Sequence, residues 1–452
     1  MIKRIESKGC LKGTVITPPD KSISHRAVMF ASIAKGKSRI ENLLLAADTI
    51  STLRAMESLG VKMKGFGKET EVPGCGRYFQ NYEIEGVGLY GLSEPASFIN
   101  CGNSGTTTRL LCGLLSGNPF FSVLSGDESL NSRPMKRVIK PLARMGAEIM
   151  ARASDSYPPI AIRGGKLRGI NYEMPVASAQ VKSALILAAL YADGESVVKE
   201  PYPSRDHTEW MLQSMGAELD NEIPTEIHVK GPSKELSPLD ITVPGDFSSA
   251  AFFLVGALIT QNSDVLIKNV CLNPTRTGLL TALASMGAKI AQENKRVVSG
   301  EIVGDLHVEG VQKLEAATID PARIPWMIDE IPILCIAAAC AHGRSEIRGA
   351  GELRVKESDR IKAMAAGLAA MGVEVEEFED GLAITGGAMK GARVDSFGDH
   401  RIAMSFAIAG LAASGITEIE NGDEAVKISY PEFFNTLYKL MGSPRRGGSK
   451  IG

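Results

Sequence analysis

The segments Gln213-Ser-Met-Gly-Ala217 and Ala284-Ser-Met-Gly-Ala288 are nearly identical and lie in different halves of the chain. In each, a helix-like run ends in Met-Gly and an apolar, strand-like segment follows. Glycine is preferred where a helix ends in the left-handed conformation, because it has no Cβ atom to clash. Related segments occur six times, with their glycines at Gly60, Gly146, Gly216, Gly287, Gly372 and Gly442. This internal similarity predicts a fold built from repeated α/β units.

The spacing of these glycines shows that the repeats form two matching halves. The successive intervals are 86, 70, 71, 85 and 70 residues, so the long-short rhythm starts again at the fourth interval. Pairing the first glycine with the fourth, the second with the fifth and the third with the sixth gives offsets of 227, 226 and 226 residues. Asp20-Lys-Ser22 and Asp246-Phe-Ser248 share the 226-residue offset, and each places an N-cap aspartate before a helical run. We therefore predict an α/β protein with six repeated units, three in each half.

The predicted domain boundary lies in Gly231-Pro-Ser-Lys-Glu-Leu-Ser-Pro238, which is rich in turn-forming residues. Because the first repeat begins near residue 18, the preceding segment is assigned to the C-terminal lobe. The prediction is an N-terminal lobe of residues 19–241 and a C-terminal lobe of residues 1–18 plus 242–452, with two crossovers near residues 18 and 242. Strands are predicted after the glycines, for example at Ala147-Glu-Ile-Met-Ala151, Ala288-Lys-Ile-Ala291 and Val373-Glu-Val-Glu376.

The composition is that of a globular protein without bulk basic charge. The 452 residues carry a net charge of −2, so no nucleic-acid partner is predicted. The longest apolar runs have about ten residues, half of what a bilayer-spanning helix needs, so no membrane association is predicted. Seven cysteines without a C-x-x-C pair, and an N-terminus without an apolar leader, predict reduced thiols in a cytoplasmic protein. Neither the cysteines nor the six histidines have metal-ligand spacing, so no metal and no cofactor are predicted.

Two glycine motifs that suggest nucleotide binding lack the context that it requires. Gly86-Val-Gly-Leu-Tyr-Gly91 matches the dinucleotide pattern G-x-G-x-x-G, but Ser93-Glu-Pro95 stands where the helix should begin. Gly36-Lys-Ser38 resembles the end of a P-loop, yet Ala31 replaces the first glycine of that motif. Neither motif is interpreted as a phosphate site.

The segment Leu353-Arg-Val-Lys-Glu-Ser-Asp-Arg360 concentrates cationic and acidic side chains in one short window. If the segment is helical, Lys356 and Arg360 share one face and Glu357 lies beside Lys356. Two neighbouring cations can hold a phosphate or a carboxylate, and a carboxylate next to them can move protons. The alternative is a solvated, salt-bridged helix face.

Other polar stretches interrupt sequence that could otherwise form core. They are Asp20-Lys-Ser-Ile-Ser-His-Arg26, Asn100-Cys-Gly-Asn-Ser-Gly-Thr-Thr-Thr-Arg109, Ala177-Ser-Ala-Gln-Val-Lys182 and Gly398-Asp-His-Arg401. Together with the charged segment described above, this set resembles the 5-enolpyruvylshikimate-3-phosphate synthase family. The resemblance covers nearly the whole chain, and its further motifs are Gly126-Asp-Glu-Ser-Leu130 with Arg133-Pro-Met135, Ser204-Arg-Asp-His-Thr-Glu209, Pro244-Gly-Asp-Phe-Ser-Ser249 and Tyr430-Pro-Glu-Phe433.

The resemblance implies a two-lobed enolpyruvyl transferase fold, an inside-out α/β barrel of six repeated α/β units with three per lobe. It also implies transfer of the enolpyruvyl group of phosphoenolpyruvate to the 5-hydroxyl of shikimate 3-phosphate, with release of phosphate. This step of the shikimate pathway leads to chorismate and the aromatic amino acids. The implied partners are these two small-molecule substrates, and the implied protein is a monomer that needs no cofactor.

Such substrates demand many cations. Two phosphates at about −1.5 to −2 each, with two carboxylates, bring roughly five to six negative charges into one site. Arginine suits this task because its planar guanidinium can donate two parallel hydrogen bonds. The cations that the motifs supply are Lys21, Arg26, Arg133, Arg205, Lys356, Arg360 and Arg401.

The resemblance also implies roles for individual residues. Asp329 corresponds to the carboxylate that takes the proton from the 5-hydroxyl, Glu357 to the acid that protonates the methylene carbon of phosphoenolpyruvate, and Lys21 to a third catalytic residue. The implied shikimate 3-phosphate contacts are Lys21, Ser22, Arg26, Ser178, Ala179, Gln180, Arg205, Asp329 and Lys356. The implied phosphoenolpyruvate contacts are Lys21, Gly105, Arg133, Gln180, Arg360, Arg401 and Lys427. Replacement of the glycine at position 105 by alanine is associated with glyphosate tolerance in the family, so we predict that glyphosate competes with phosphoenolpyruvate.

Some of these positions have structural interpretations that the sequence leaves open. Asp329 could be a helix N-cap, and Asp48 could serve only to fix a neighbouring lysine or arginine. Arg109 could form a structural ion pair. Lys427 is assigned in place of a lysine that some family members carry at the position of Ile428.

Two other functions are compatible with this fold. A UDP-N-acetylglucosamine enolpyruvyl transferase shares the fold and the enol donor, but it usually has Lys-Asn where this chain has Lys21-Ser22, and a reactive Cys or Asp on a mobile loop. Cys112 lies within an apolar run and is a poor candidate for that loop. A non-catalytic small-molecule binder would be expected to lose Lys21, Asp329 or Glu357, which are all present.

Overall fold

The computed structural model describes residues 2–6, 9–310 and 313–442. The chain forms two compact units. The N-terminal unit comprises Pro19–Pro244 and Val297–Glu301. The C-terminal unit comprises the described residues of Met1–Pro18, Gly245–Arg296 and Ile302–Gly452.

The helices are short, and two 3-10 helices at Pro321–Trp326 and Gly351–Val355 accompany them. Within the described ranges, no helix has both the length and the hydropathy to span a bilayer. Their bounds are α1 (Lys21–Ile33), α2 (Ala47–Ser58), α3 (Gly105–Ser116), α4 (Glu128–Asn131), α5 (Lys136–Arg144), α6 (Arg152–Asp155, a left-handed turn), α7 (Ala179–Ala189), α8 (His207–Ser214), α9 (Phe247–Ile259), α10 (Gly278–Ser285), α11 (Ile331–Ala339), α12 (Arg360–Ala370), α13 (His400–Ala412), α14 (Gly422–Val426) and α15 (Phe433–Leu440).

The strands are distributed along the whole chain between these helices. Their bounds are β1 (Lys3–Glu6), β2 (Lys12–Ile16), β3 (Lys35–Glu41), β4 (Lys62–Val72), β5 (Gly76–Val87), β6 (Ile99–Asn100), β7 (Phe121–Ser125), β8 (Glu148–Ala151), β9 (Tyr157–Arg163), β10 (Asn171–Glu173), β11 (Gly194–Lys199), β12 (Leu219–Asp220), β13 (Glu226–Gly231), β14 (Asp240–Thr242), β15 (Asp264–Cys271), β16 (Ala291–Val298), β17 (Glu301–Glu309), β18 (Thr318–Ile319), β19 (Arg344–Ile347), β20 (Glu374–Phe378), β21 (Gly381–Thr385), β22 (Arg393–Asp395) and β23 (Ile416–Glu420).

The described strands form six mixed sheets, one for each predicted repeat. Three have the strand orders β14-β3-β5-β4, β6-β7-β9-β8 and β10-β11-β13-β12. The other three have the orders β16-β17-β15-β2, β18-β19-β21-β20 and β1-β23-β22. Each sheet contains a parallel pair, formed by β14 and β3, β6 and β7, β10 and β11, β2 and β15, β18 and β19, or β22 and β23. The prediction of six α/β units is confirmed.

The six repeat glycines end helices as predicted. All have positive φ, between 66° and 106°, and the preceding helix ends two residues earlier in every case. After the first five of these glycines, the next residue donates its N–H to the carbonyl five positions back, as Ala147 does to Leu142 at 3.1 Å and Ala288 to Leu283 at 2.9 Å. The strand predicted at Ala288-Lys-Ile-Ala291 is wrong at its start: Ala288 belongs to the helix cap, and β16 begins only at Ala291.

Helices occupy the interior of each unit. In the C-terminal unit, α9, α11 and α13 contact one another, and the sheets pack against them. Every residue of α11 is buried. In the N-terminal unit, α3 contacts both α1 and α7. The close approach of α3 and α7 needs Gly113, since a Cβ there would lie 2.0 Å from the carbonyl oxygen of Ala184. Helices inside and sheets outside are the inside-out α/β barrel that the sequence predicted.

A hairpin tip was not anticipated from the sequence. Residues 297–301 join β16 to β17 and group with the N-terminal unit, although the residues on both sides belong to the C-terminal unit. Thr242 N–H donates to Ser299 Oγ at 3.1 Å, and His207 Nδ1 lies 2.6 Å from Glu301 Oε1. Only two crossovers between the lobes were predicted, and the placement of residues 297–301 was missed because these residues contain no repeat motif.

The glycines of the segment 86–91 are explained by packing rather than by phosphate binding. A Cβ at Gly86 would lie 2.4 Å from the carbonyl oxygen of Ala34 and 2.5 Å from that of Ala31. Gly88 N–H donates to the Ala34 carbonyl at 2.8 Å. The segment therefore covers the C-terminal end of α1, where the helix dipole disfavours an anion.

Candidate active site

The N-terminus of α1 places Lys21 beside Asp48. Asp20 caps this helix, with Oδ1 accepting from Ile23 N–H at 2.9 Å. Lys21 is the first residue of the helix, and its Nζ lies 2.6 Å from Asp48 Oδ2 on α2. The interpretation that Asp48 fixes a neighbouring cation is confirmed. The Lys21 side chain remains 21% exposed, so its ammonium can also meet an anion.

The N-terminus of α3 is suited to an anion. Ser104 caps the helix by accepting a hydrogen bond from Thr107 N–H at 3.1 Å. Arg133 lies over the same turn: its guanidinium donates to the side chain of Asn103, and a Cβ on Gly105 would be 3.4 Å from Arg133 Nη1. Helix amides and a guanidinium both favour negative charge, so the predicted residues 105 and 133 share one site.

Gln180 connects this turn to α7. Its Oε1 accepts from Arg109 Nη1 at 2.6 Å, and its Nε2 donates to Thr106 Oγ1 at 2.9 Å. Ser178 and Ala179 precede it at the N-terminus of α7. The helices α1, α3 and α7 thus all begin with residues that the sequence predicted as ligands.

Arg26 and Arg205 both reach Ser22. Arg26 is buried and donates from Nη1 to the Ser22 carbonyl at 3.0 Å. Its Nε donates to Thr208 Oγ1 at 2.7 Å, and its Nη2 donates to Ser183 Oγ at 2.8 Å. Arg205 Nη1 lies 3.5 Å from Ser22 Oγ. The structure brings these predicted residues together.

A buried ion cluster behind Arg205 was not predicted from the sequence. Lys182 Nζ lies 2.8 Å from Glu200 Oε1 and 2.7 Å from Glu209 Oε1. Glu200 also accepts from Ser204 N–H at 2.8 Å and from Ser204 Oγ at 2.6 Å. This cluster fixes the residue that precedes Arg205 in the chain. The lysine at position 182, beside the apolar run 184–190, was a signal in the sequence.

In the C-terminal unit, the charged segment 353–360 is not one helix. Its first residues belong to the 3-10 helix that ends at Val355, and Lys356 is extended with φ −85° and ψ −151°. Asp359 then caps α12, accepting from Lys362 N–H at 3.0 Å. Lys356 and Arg360 therefore do not share a helix face, and that expectation is wrong. The N-cap aspartate starts a new helix at Arg360.

Arg360 is 1% exposed and contacts three carboxylates. Its Nη2 donates to Glu357 Oε2 at 2.6 Å, and its Nη1 to Asp329 Oδ1 at 3.3 Å. Its Nε donates to Asp399 Oδ2 at 2.8 Å. Burial disfavours the charged guanidinium, but these carboxylates outweigh it and raise the pKa of Arg360 above its usual range. The two carboxylates predicted to be catalytic are therefore held by one permanent cation.

Arg401 approaches the same group from α13. Asp399 caps this helix by accepting from Arg401 N–H at 2.9 Å. Burial favours the neutral form of Asp399, yet the attraction of Arg360 outweighs it and lowers the pKa of that carboxyl group. Arg401 Nη1 donates to the Asp329 carbonyl at 3.1 Å, and its Nη2 lies 3.7 Å from Asp329 Oδ2. Asp329 thus contacts two of the predicted phosphoenolpyruvate cations.

Asp329 is not the N-cap of α11, because Glu330 occupies that position. Glu330 is buried and accepts a hydrogen bond from Ser248 Oγ. Arg276, which the sequence did not single out, donates to Ser248 Oγ at 2.9 Å and to Asp246 Oδ1 at 3.0 Å. The structural alternative for Asp329 is therefore wrong.

Lys427 lies apart from these contacts. Its Nζ is 2.8 Å from Glu424 Oε1, in a pair whose side chains are 41% and 59% exposed. No cluster of three or more potential metal-binding side chains occurs in the described part of the chain. The arrangement can bind anions, and its carboxyl groups are placed where they can transfer protons.

Fold and site together define an anion-binding transferase of the enolpyruvyl transferase class. The family model for EPSP synthase (3-phosphoshikimate 1-carboxyvinyltransferase) matches residues 5–437. A 3-phosphoshikimate 1-carboxyvinyltransferase of Syntrophomonas wolfei is 52% identical over 433 residues, which are 95% of this chain and 97% of that protein. One from Thermodesulfovibrio yellowstonii is 49% identical over 445 residues, covering 98% of this chain and 100% of that protein.

A solved structure agrees with the sequence comparisons. The EPSP synthase from Acinetobacter baumannii has a TM-score of 0.83 and 43% sequence identity, and the match covers 97% of this chain and 98% of that chain. The chain belongs to the EPSP synthase family. The resemblance identified from the motifs is confirmed.

Proposed function

We propose that the chain catalyses one reaction and that the residues described above divide its tasks. The reaction is that of the family: the chain transfers the enolpyruvyl group of phosphoenolpyruvate to the 5-hydroxyl of shikimate 3-phosphate and releases phosphate. It is a transferase of the shikimate pathway, in the biosynthesis of chorismate and aromatic amino acids. The observation that carries the assignment of roles is that Arg360 binds both Asp329 and Glu357.

In the N-terminal unit, the N-terminus of α3 binds the phosphate of phosphoenolpyruvate. Arg133, Lys21 and Gln180 supply the side-chain contacts, and Gly105 allows the backbone amides to approach. Shikimate 3-phosphate binds at the N-termini of α1 and α7. Its contacts there are Lys21, Ser22, Arg26, Ser178, Ala179, Gln180 and Arg205.

In the C-terminal unit, Glu357 protonates the methylene carbon of phosphoenolpyruvate, and Asp329 accepts the proton of the 5-hydroxyl. Protonation makes the adjacent carbon electrophilic, and the hydroxyl adds to it. Return of a proton from the methyl group to Glu357 then regenerates the double bond as phosphate leaves. Arg360 and Arg401 hold the carboxylate of phosphoenolpyruvate, with Lys427 as a further predicted cation. Lys356 contacts shikimate 3-phosphate. Two carboxylates beside one guanidinium can perform these two opposite proton transfers.

Cys112 argues against the alternative function, a UDP-N-acetylglucosamine enolpyruvyl transferase. This thiol lies inside α3 and is fully buried. Burial raises its pKa far above the usual range, Cys101 adds to the rise, and the smaller opposing effect of Arg109 does not cancel it. Since a thiolate is the reactive form, Cys112 is not a nucleophile on a mobile loop. We further propose that the protein is a cytoplasmic monomer whose two lobes are residues 19–241 and residues 1–18 plus 242–452.

One assay tests this function and its two alternatives. Phosphate release from phosphoenolpyruvate is measured with shikimate 3-phosphate and, separately, with UDP-N-acetylglucosamine. We expect release only with shikimate 3-phosphate, and its loss in Glu357→Ala and Asp329→Ala. Release with the nucleotide sugar would favour the rival transferase, and release with neither acceptor would favour a non-catalytic binder.

Gly105→Ala is expected to weaken the binding of both phosphoenolpyruvate and glyphosate. The new Cβ would lie 2.7 Å from Arg109 Nη1, so this guanidinium group must shift, and it would come into contact with Arg133 Nη1 at 3.4 Å. We expect the KM for phosphoenolpyruvate and the glyphosate inhibition constant to rise, the latter about tenfold or more if the inhibitor fills the same turn. Steady-state kinetics at varied phosphoenolpyruvate check this, and glyphosate inhibition that added phosphoenolpyruvate leaves unchanged in the parent enzyme would contradict it.

A further inference from the structure

A buried chain of hydrogen bonds runs from α1 through α2 to the N-terminus of α3. His25 Nδ1 lies 2.6 Å from Thr52 Oγ1. Thr52 Oγ1 lies 2.7 Å from Thr107 Oγ1, which donates to Ser104 Oγ at 2.7 Å. All four side chains are 0% exposed. None of them has a binding or catalytic role in the proposed function.

Counting protons fixes the direction of this chain. The Thr107 hydroxyl donates its proton to Ser104, so in its contact with Thr52 it must accept, and Thr52 must be the donor. The proton of Thr52 is then used as well, and His25 must donate from Nδ1 to Thr52. Every bond therefore points toward Ser104, the residue that caps α3.

The imidazole end of the chain stays neutral. Burial, with the nearby charges of Lys21 and Arg26, holds the pKa of His25 well below its usual value of 6.5. Its Nε2 is buried and has no hydrogen-bond partner among the described residues. A second proton, on Nε2, would have no acceptor among the described residues. His25 therefore keeps the neutral tautomer with its proton on Nδ1, which donates to Thr52.

We propose that Thr52 and Thr107 are positioning residues for the phosphate of phosphoenolpyruvate. Ser104 Oγ accepts from both the backbone N–H and the hydroxyl of Thr107, which fixes its rotamer. The Ser104 cap in turn orients the amides that begin at Gly105. This inference rests on the proposed function, because it assumes that these amides receive the phosphate.

This hydrogen-bond chain should affect the binding of phosphoenolpyruvate more than the binding of shikimate 3-phosphate. It ends on the turn that carries Gly105 and Thr106, which the proposed function gives to phosphoenolpyruvate. Ser178 and Arg205, proposed for shikimate 3-phosphate, lie just before α7 and α8, and none of the three bonds of the chain involves them. A general loss of folding would affect both substrates, so the ratio of the two KM values separates positioning from stability.

The test compares Thr107→Val, which removes the hydroxyl at nearly constant shape, with Thr107→Ser, which keeps it. We expect Thr107→Val to raise the KM for phosphoenolpyruvate about three- to tenfold, the effect of losing one hydrogen bond. The KM for shikimate 3-phosphate should change less than about twofold, and Thr107→Ser should restore the parent values. Thr52→Val and Thr52→Ser should repeat the pattern.

Ser116→Ala is the matched control. Ser116 lies in the same helix, is equally buried and donates only to the Cys112 carbonyl of its own helix at 2.6 Å. It should lower the thermal midpoint without changing either KM. Equal rises in both KM values for Thr107→Val, or an unchanged KM for phosphoenolpyruvate, would overturn the proposal. If the parent enzyme releases phosphate normally, that result would leave the proposed function intact.

Discussion

Replacing Lys182 with methionine is expected to lower the free energy of unfolding by about 3 to 5 kcal/mol, the usual cost of removing one partner from a buried ion pair. Its ammonium lies within 2.8 Å of both Glu200 and Glu209, and all three side chains are at most 1% exposed. Methionine has a similar length but no charge, so two carboxylates would remain buried without their cation. Burial already raises the pKa of Glu209 despite the attraction of Lys182. Urea unfolding followed by circular dichroism measures the loss.

Lys199→Met is the matched control for this substitution. Lys199 Nζ lies 2.8 Å from Glu226 Oε1, the same distance as in the buried pair, but the two side chains are 36% and 25% exposed. A solvated pair contributes little to stability, so Lys199→Met should be nearly neutral. Adding Glu209→Gln to Lys182→Met should recover part of the loss because one buried charge disappears. Equal effects of the two lysine substitutions would refute this explanation.

The fold was readable from the sequence because its repeats end in a residue with a special backbone requirement. Gly287 and Gly372 adopt φ of 89° and 82°, which other residues rarely do, so glycine recurs at fixed spacing. The hairpin tip at 297–301 also contains a glycine with positive φ, Gly300 at 85°, but this glycine is not part of the repeat spacing, so the placement of the tip could not be foreseen. Its placement depends on Thr242 and His207, which are distant in sequence.

The site was predictable where polar or charged residues start helices, and unpredictable where a buried side chain bonds to residues far along the chain. Lys21 and Gln180 stand at helix N-termini, and the motifs identified both. Arg276 and Thr52 bond to residues 28 and 55 positions away, and no local pattern marks such pairs. The assumption of one helix through 353–360 failed because Asp359 caps a new one.

Glu357→Gln is expected to reduce kcat by about 10² to 10⁴, the range for losing a general acid, while the KM for phosphoenolpyruvate changes little. The amide oxygen can still accept the hydrogen bond that Arg360 Nη2 now donates to Glu357 at 2.6 Å. The substitution therefore removes the proton and keeps the contact. Glu377→Gln is the control, since Glu377 accepts from Arg354 Nη2 at 2.9 Å in a more exposed pair and should be dispensable.

Deuterium uptake distinguishes a proton donor from a residue that only neutralises Arg360. In D₂O with shikimate 3-phosphate, the parent enzyme should place solvent deuterium on the methylene carbon of phosphoenolpyruvate, because protonation there creates a methyl group that later loses a hydron. Mass spectrometry of the remaining phosphoenolpyruvate and of the product measures this exchange. Glu357→Gln should lose both deuterium exchange and turnover. Asp329→Asn should lose turnover because no carboxylate then accepts the proton of the 5-hydroxyl. Exchange that persists in Glu357→Gln would assign the protonation to a different group, and unimpaired turnover would reduce Glu357 to a partner of the buried guanidinium.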